Sequence, residues 1–570
     1  MLNVQYIIVL LFFFIIAKLM KTISKTHSAS NHPSNLPKSY PIIGSLFEIS
    51  GNMKRYVQWT SDIVTSNPNL TFSLFWPFGQ QEIFTANAAN VEHILKSNFH
   101  NYEKGELFRS SFRDFLGDGI FNSDGENWKF QRKVSIHEFN TKSLRKFVEH
   151  VVDTELTDRL LPFLKNAADN KTVVDFQDIL QRFAFDNICK IAFGYDPEYL
   201  SPSLPHEKLA IAIEKALKIC TMRFINLIPG LWKTKRALNI GTEKQLRIAV
   251  KQVREFAKEI VRKKKQDIKG KESYDDLLSR FLSSGHSDEN FVVDIVISFI
   301  MAGRDSTPTA LTWFFWLLSD HPQVENEILR EINRKSSETA SAYDEVKDMV
   351  YTHASLCESM RLYPPVPLET KAALNDDVLP DGTKVNKGMK VTYHPYAMGR
   401  VEKVWGKDWV EFRPTRWLER EAAAEKWRFV NRDVYTYPVF QAGPRICIGK
   451  EMAFLQMKRV VAGVLRRFRV VPLVVEPVYI SDLTSKMKGG FPVRIETRAE
   501  DESAAKRDPS NRLRPVRRSY MSFCLFYMYV LAHYYIYYCV LQDYYLIIEI
   551  DFFFQNIYFL SNTECAIFDN

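Results

Sequence analysis

The sequence has little of what would build a secreted, repetitive or metal-clustered protein. Its 570 residues hold seven cysteines (189, 220, 357, 447, 524, 539 and 565), an odd number with no Cys-x-x-Cys spacing. That excludes a zinc ribbon and a disulfide framework, and it fits a reducing compartment. Residues 45–495 contain no internal repeat and no Gly/Ser-rich linker. Although the chain exceeds a usual domain of about 100 to 200 residues, this stretch is therefore expected to form one large unit. A strong excess of one charge is also missing. The net +9 is modest for this length and partly terminal, so it gives no ground for nucleic-acid binding and is compatible with anionic lipid or an acidic redox partner. What the chain does have is apolar mass, 46% hydrophobic against 25% charged residues, enough for a large core.

The most informative stretch is Phe440-Gln-Ala-Gly443-Pro-Arg445-Ile-Cys447-Ile-Gly449. Gly443 and Pro444 prescribe a tight turn, and Gly449 has no side chain to keep a flat cofactor away from the backbone. Lys450 to Phe468 carries Ala453, Met457, Val460, Val461 and Val464 on one face, so it reads as a helix whose N-terminus lies beside the sulfur. That terminus favours the thiolate, the form that iron binds. A lone cysteine is otherwise a small buried hydrophobe; five matched residue types in ten positions set this one apart. The pattern Phe-x-x-Gly-x-Arg-x-Cys-x-Gly closely resembles the haem-binding loop of the cytochrome P450 superfamily. The resemblance implies a mainly α fold with small β-sheets (α+β), Cys447 as axial ligand of haem iron, and Arg445 and Phe440 at the cofactor.

Phe291 to Leu318 is the longest strongly apolar segment of the body, interrupted by Ala302-Gly-Arg-Asp-Ser306-Thr307-Pro308. Pro308 has no N–H for the carbonyl of Arg304, a loss of about 3 kcal/mol inside a helix unless compensated. The ladder is expected to open there, beside a carboxylate and a hydroxyl. The stretch resembles the family's Ala/Gly-Gly-x-Asp/Glu-Thr signature, which implies that Asp305, Ser306 and Thr307 serve oxygen activation. Position 306 is Ser where most members have Thr, so the hydroxyl is kept and the methyl that fixes its rotamer is lost.

Further motifs extend the resemblance. Trp128-Lys-Phe-Gln-Arg132 places an indole and a guanidinium at i, i+4; in the family such a pair, joined here by Lys371, holds the haem propionates. Glu358-Ser-Met-Arg361 and Phe412-Arg-Pro414-Thr-Arg416 match the Glu-x-x-Arg and Pro-x-Arg motifs, implying a buried network of Glu358, Arg361 and Arg416 that fixes the fold behind the cysteine loop. The aromatic-rich connector 108–121, the central segment, the extended run Tyr363-Pro-Pro-Val-Pro and the turn at 483–493 should line a substrate pocket through Phe112, Phe121, Phe299, Val366, Leu368, Thr370 and Met487.

The chain ends read differently from its body. Val4 to Ala17 is almost wholly apolar and is followed by Lys18, Lys21 and Lys25, the mark of an uncleaved anchor with its C-terminal side in the cytosol. The expected organisation is a membrane anchor (1–28), a proline-rich hinge (29–45), a catalytic domain (46–497), a charged linker (498–519) and an aromatic-rich tail (520–570). For the tail two readings stay open, a second membrane helix across 523–541 or a segment outside the enzyme; the second is favoured because nothing in it matches the family.

The wording of these motifs is most similar to the plant fatty-acid ω-hydroxylase clan, nearest its family 94. This implies a haem monooxygenase of the endoplasmic reticulum membrane, fed from NADPH by a flavin-containing P450 reductase, that oxidises the terminal carbon of long-chain fatty acids. Oxidation of a jasmonoyl-isoleucine conjugate is the alternative. A haem-thiolate isomerase or dehydratase and a non-enzymatic haem sensor are more distant rivals.

Overall fold

The computed structural model describes residues 36–139, 142–201, 207–225, 230–268, 276–283, 288–334, 346–421 and 426–498. The chain divides into two units, Met1–Arg498 and Ala499–Asn570. The second unit, the anchor segment 1–28 and the start of the hinge lie outside the described residues. Among the described residues no helix is long and apolar enough to cross a membrane.

Helices dominate and the sheets are small, as the sequence predicts. After α1 (Tyr56–Ser66) come strands β1 (Thr71–Phe75), β2 (Gln81–Thr85) and β3 (Tyr102–Glu103). Alternation drives the first two; Phe72 stacks on Phe84 with ring centroids 5.2 Å apart, in the register Phe72↔Phe84. The run 108–121 is not the connector expected from its glycines. It is mostly helix α2 (Gly105–Leu116), because Phe108, Phe112, Phe115 and Leu116 fall on one buried face; Gly117 and Gly119 lie beyond its end.

Helix α3 (Gly125–Phe139) and strand β4 (Val173–Asp175) lead to the central helices. Helix α4 (Phe176–Phe193) starts at Asp175, whose carboxylate accepts from the backbone N–H groups of Gln177 and Asp178, and stops at Gly194. Helices α5 (Glu207–Phe224) and α6 (Gly241–Ile268) precede α7 (Glu289–Arg304) and α8 (Ser306–Ser319), which run on from one another with a break at Asp305. The break lies where Pro308 removes a ladder donor. It also lies where α7 meets α4 closely: a Cβ on Gly303 would come within 2.6 Å of Ile188, so a larger residue would push the two helices apart.

Helix α9 (Val350–Leu362) is followed by β5 (Glu369–Ala373) and β6 (Lys390–Tyr393), which complete a sheet of order β1-β2-β6-β5-β3. The last elements are α10 (Lys450–Arg467), β7 (Phe468–Pro472), the hairpin β8 (Tyr479–Ser481) and β9 (Ser485–Met487), and β10 (Pro492–Thr497) between β7 and β4. Trp313 of α8 stacks on Tyr363 at 4.1 Å between centroids, a contact of about 0.5 to 1.5 kcal/mol beyond burial, and this pins the central helix to the extended run before β5.

Candidate active site

Cys447 lies in a loop whose shape follows from its residues. Gly443 has φ +63°, and a Cβ there would meet the Leu95 carbonyl oxygen at 2.0 Å, so only glycine fits the turn. The Cys447 N–H donates to the Phe440 carbonyl at 2.8 Å, closing the loop, and α10 begins three residues later. Gln441 holds φ +58°, a costly conformation for a side-chain-bearing residue; its amide donates to Glu369 Oε1 at 2.8 Å. Cys447 counts as exposed, but the surface it shows faces an interior cavity. The thiol is thus enclosed by protein: burial pushes its pKa up, while the Gly449 N–H, Arg132 and Lys450 pull it down.

The cavity has a volume of about 950 Å³, near the upper end of small-molecule sites. Phe112, Phe121, Phe299, Val366, Leu368 and Thr370 line it, as do Trp128, Arg132, Phe440, Arg445 and Cys447. Ser306 and Thr307 line it at the helix break, with Ser306 Oγ donating to the Ala302 carbonyl at 2.8 Å.

Three of the expected site residues, Met487, Asp305 and Lys371, are not among those that line the cavity. Met487 is buried opposite Tyr479 in the β8–β9 hairpin, where its backbone exchanges hydrogen bonds with the Gln177 amide; its side chain packs in the core. Asp305 is buried and paired with Arg304, Nη1 to Oδ1 2.7 Å. Burial raises its pKa and Arg304 opposes that. Lys371 is 1% exposed.

Polar groups crowd one side of the site. Arg445 donates to Asp124 Oδ1 at 2.7 Å and to the Ser123 carbonyl, and stands 4.3 Å over the Trp128 ring. Lys104 approaches Glu369 at 3.5 Å. Burial would raise the Glu369 carboxyl, but Lys104, Lys371 and Arg445 outweigh it and hold it below its usual range. Burial, with Lys104, drives the Lys371 ammonium well below its ordinary pKa. Lys104, Asp124 and Glu369 escaped the sequence reading, since none belongs to a motif and their partners are remote in the chain.

The residues present fit a haem. Among the described residues, the Nε atoms of Arg132 and Arg445 and Nζ of Lys371 are buried without a hydrogen-bond partner. Such donors are costly to leave unpaired, and an acidic cofactor edge would satisfy them. A Cβ on Gly449 would meet only Cys447 Sγ, at 4.0 Å, so the space beside the sulfur is clear. Behind the loop, Glu358 Oε1 accepts from Arg361 Nη2 at 2.8 Å and from Arg416 Nε at 3.1 Å, all three side chains buried.

Comparison with known proteins agrees with this chemistry. The family model described as Cytochrome P450 matches residues 34–488. The chain is 62% identical over 497 residues to the Vicia sativa protein named Cytochrome P450 94A2, covering 86% of this chain and 96% of that protein. It is 59% identical to Cytochrome P450 94A1 of the same plant (82% and 92% covered) and 49% identical to Cytochrome P450 94B1 of Arabidopsis thaliana (84% and 94%).

Proposed function

The chain belongs to the cytochrome P450 family, whose members are haem-thiolate monooxygenases supplied from NADPH through a reductase, and from this premise we propose that it hydroxylates long-chain fatty acids at the ω-carbon, with Cys447 as the iron ligand. The observation that carries the reading is the wall of the cavity: aromatic and aliphatic side chains enclose it, Cys447 stands on one part of that wall, and Ser306 and Thr307 stand on another. An apolar channel of this kind positions a flexible acyl chain by shape rather than by hydrogen bonds.

When bound, the haem supplies activation of dioxygen at a thiolate-ligated iron. The chain supplies the rest. Arg132, Lys450 and the Gly449 N–H favour the anionic form of Cys447 against burial. Arg132, Arg445, Lys371 and Trp128 would hold and orient the cofactor's acidic edge. Ser306 Oγ, bonded to the Ala302 carbonyl in the structure, can exchange that bond to pass a proton at the helix break. Asp305 keeps Arg304 neutralised and acts on Ser306 only through the backbone. Phe112, Phe299, Val366 and Leu368 exclude water and limit which carbon reaches the reactive centre. The apolar run at Val4–Ala17 with its flanking lysines supports anchoring in the endoplasmic reticulum membrane beside the reductase.

The test is NADPH consumption and product analysis by the membrane-bound enzyme with a plant reductase. Hexadecanoic acid should yield the ω-alcohol. Turnover of jasmonoyl-isoleucine with no fatty-acid product would replace this reading with the alternative substrate.

A further inference from the structure

Resting on the reading of a long-chain carboxylate as substrate, we propose that Lys54, Lys218 and Lys488 form an anion-binding rim that holds the acid end while the chain runs toward Cys447. The charges on the cavity wall divide into engaged and disengaged sets. Glu82 is engaged by Lys390, Trp76 Nε1 (2.9 Å) and Thr392 Oγ1 (2.6 Å), and Glu369 by Lys104 and Gln441. Arg445 is held by Asp124, and Arg132 serves the cysteine side. Lys54, Lys218 and Lys488 also line the cavity, are exposed, and make no side-chain ion pair or hydrogen bond among the described residues.

Three separate elements, each in contact with the β8–β9 hairpin, place them on the cavity wall. Lys54 precedes Gln58 by four residues, and the Gln58 amide donates to the Tyr479 carbonyl of β8 at 3.0 Å. Tyr479 pairs with Met487 in the hairpin, and the next residue, Lys488, donates its N–H to the Val478 carbonyl at 2.9 Å. Lys54 and Lys488 therefore flank one hairpin. Helix α5 reaches the same hairpin through Glu214, 3.8 Å from Lys486, and Lys218 lies one turn further along that helix face. Thr221, three residues after Lys218, lines the cavity with a buried hydroxyl that has no partner among the described residues, which is a donor set beside the lysine. Asp482 on the hairpin turn is an acid of the same wall, and three lysines leave the rim net positive.

A fatty acid entering tail first would bring its carboxylate to these ammonium groups, none of which lies on the cysteine loop or the helix after it. An exposed lysine–carboxylate pair contributes at most about 1 kcal/mol, so each lysine is worth about three- to fivefold in affinity. The experiment is titration of purified holoenzyme with hexadecanoic acid and with its methyl ester, following the substrate-induced shift of the Soret band. Lys54→Gln, Lys218→Gln and Lys488→Gln should each weaken the acid about three- to fivefold, and the triple variant about tenfold or more. The ester should be unaffected, added salt should weaken only the acid, and Lys→Arg should keep acid binding. Equal affinities for the acid in wild type and triple variant, or equal losses for acid and ester, would overturn the rim. A wild type that responds to neither ligand would overturn the substrate reading, and the rim with it.

Discussion

Glu358 and Arg361, one turn apart on α9, form a two-pronged ion pair with both N···O distances at 2.8 Å and neither side chain exposed. The same carboxylate accepts from Arg416 and from the Trp417 indole, at 2.9 Å for the latter, and Arg361 also donates to the carbonyls of Gly399 and Glu411. Removing one partner leaves a buried charge uncompensated, at about 3 to 5 kcal/mol. Glu358→Ala is therefore expected to yield little folded, haem-loaded protein, and Arg361→Lys, which cannot fill the same fork, should rescue little of it. Yield of the holoprotein and its thermal midpoint are the measurements; a wild-type midpoint in Glu358→Ala would show that the network is dispensable.

The ferrous carbon monoxide complex should show the red-shifted Soret band of thiolate ligation. Among the described residues, Cys189, Cys220 and Cys357 are buried, and of the four only Cys447 lines the cavity. Cys447→His should abolish the band, and its survival would remove the assignment.

Much of this arrangement was readable because short spacings carry it. Glu358 with Arg361, Trp128 with Arg132, and the turn residues around Cys447 are each separated by a few positions, where helix or turn geometry dictates their relative placement. The break at Asp305 was readable from Pro308. Lys104 meeting Glu369 was not, because 265 residues separate them and neither end carries a pattern. Nor was the pairing of the Asp305 carboxylate with the buried guanidinium of the adjacent Arg304. Met487 lies in the three-residue strand β9, and the facing of so short a strand cannot be read from its own letters.

Acid should destabilise the fold in a defined window. His353 sits against Phe454 and Phe429, with centroids 4.1 and 4.6 Å away; burial, aided by Lys458 and Lys450, lowers its pKa to about 3. Between its ordinary value near 6.5 and about 3, the unfolded chain takes up a proton that the folded chain refuses, so stability falls as pH drops through that range. His353→Phe should flatten the fall, read as the urea midpoint between pH 7 and pH 4. An unchanged slope would assign the acid sensitivity elsewhere, with His394, lowered to about 3 by burial, as the next group to replace.

Truncation after Glu500 should leave haem incorporation and turnover intact. The last sheet closes with β10 at Thr497, paired to β7 and β4, and Arg498 still bonds back to the Phe468 carbonyl at 3.1 Å. Nothing beyond it is needed to complete that sheet. Loss of folded, haem-loaded protein in the truncated chain would give residues 501–570 a structural role.

Ser306 carries the sharpest prediction. Its Oγ donates back to the Ala302 carbonyl and lines the cavity at the helix break, so it can exchange that bond for one to a reacting oxygen or a water. Without a β-methyl the rotor is loose. Ser306→Ala should leave haem content and the carbon monoxide spectrum unchanged but divert reducing equivalents to peroxide, and Ser306→Thr should keep or improve coupling. The quantity to compare is ω-alcohol formed per NADPH consumed with hexadecanoic acid. Unchanged coupling in the Ala variant would transfer the role to Thr307, the neighbouring hydroxyl on the same wall, and Thr307→Val would then be the variant that uncouples.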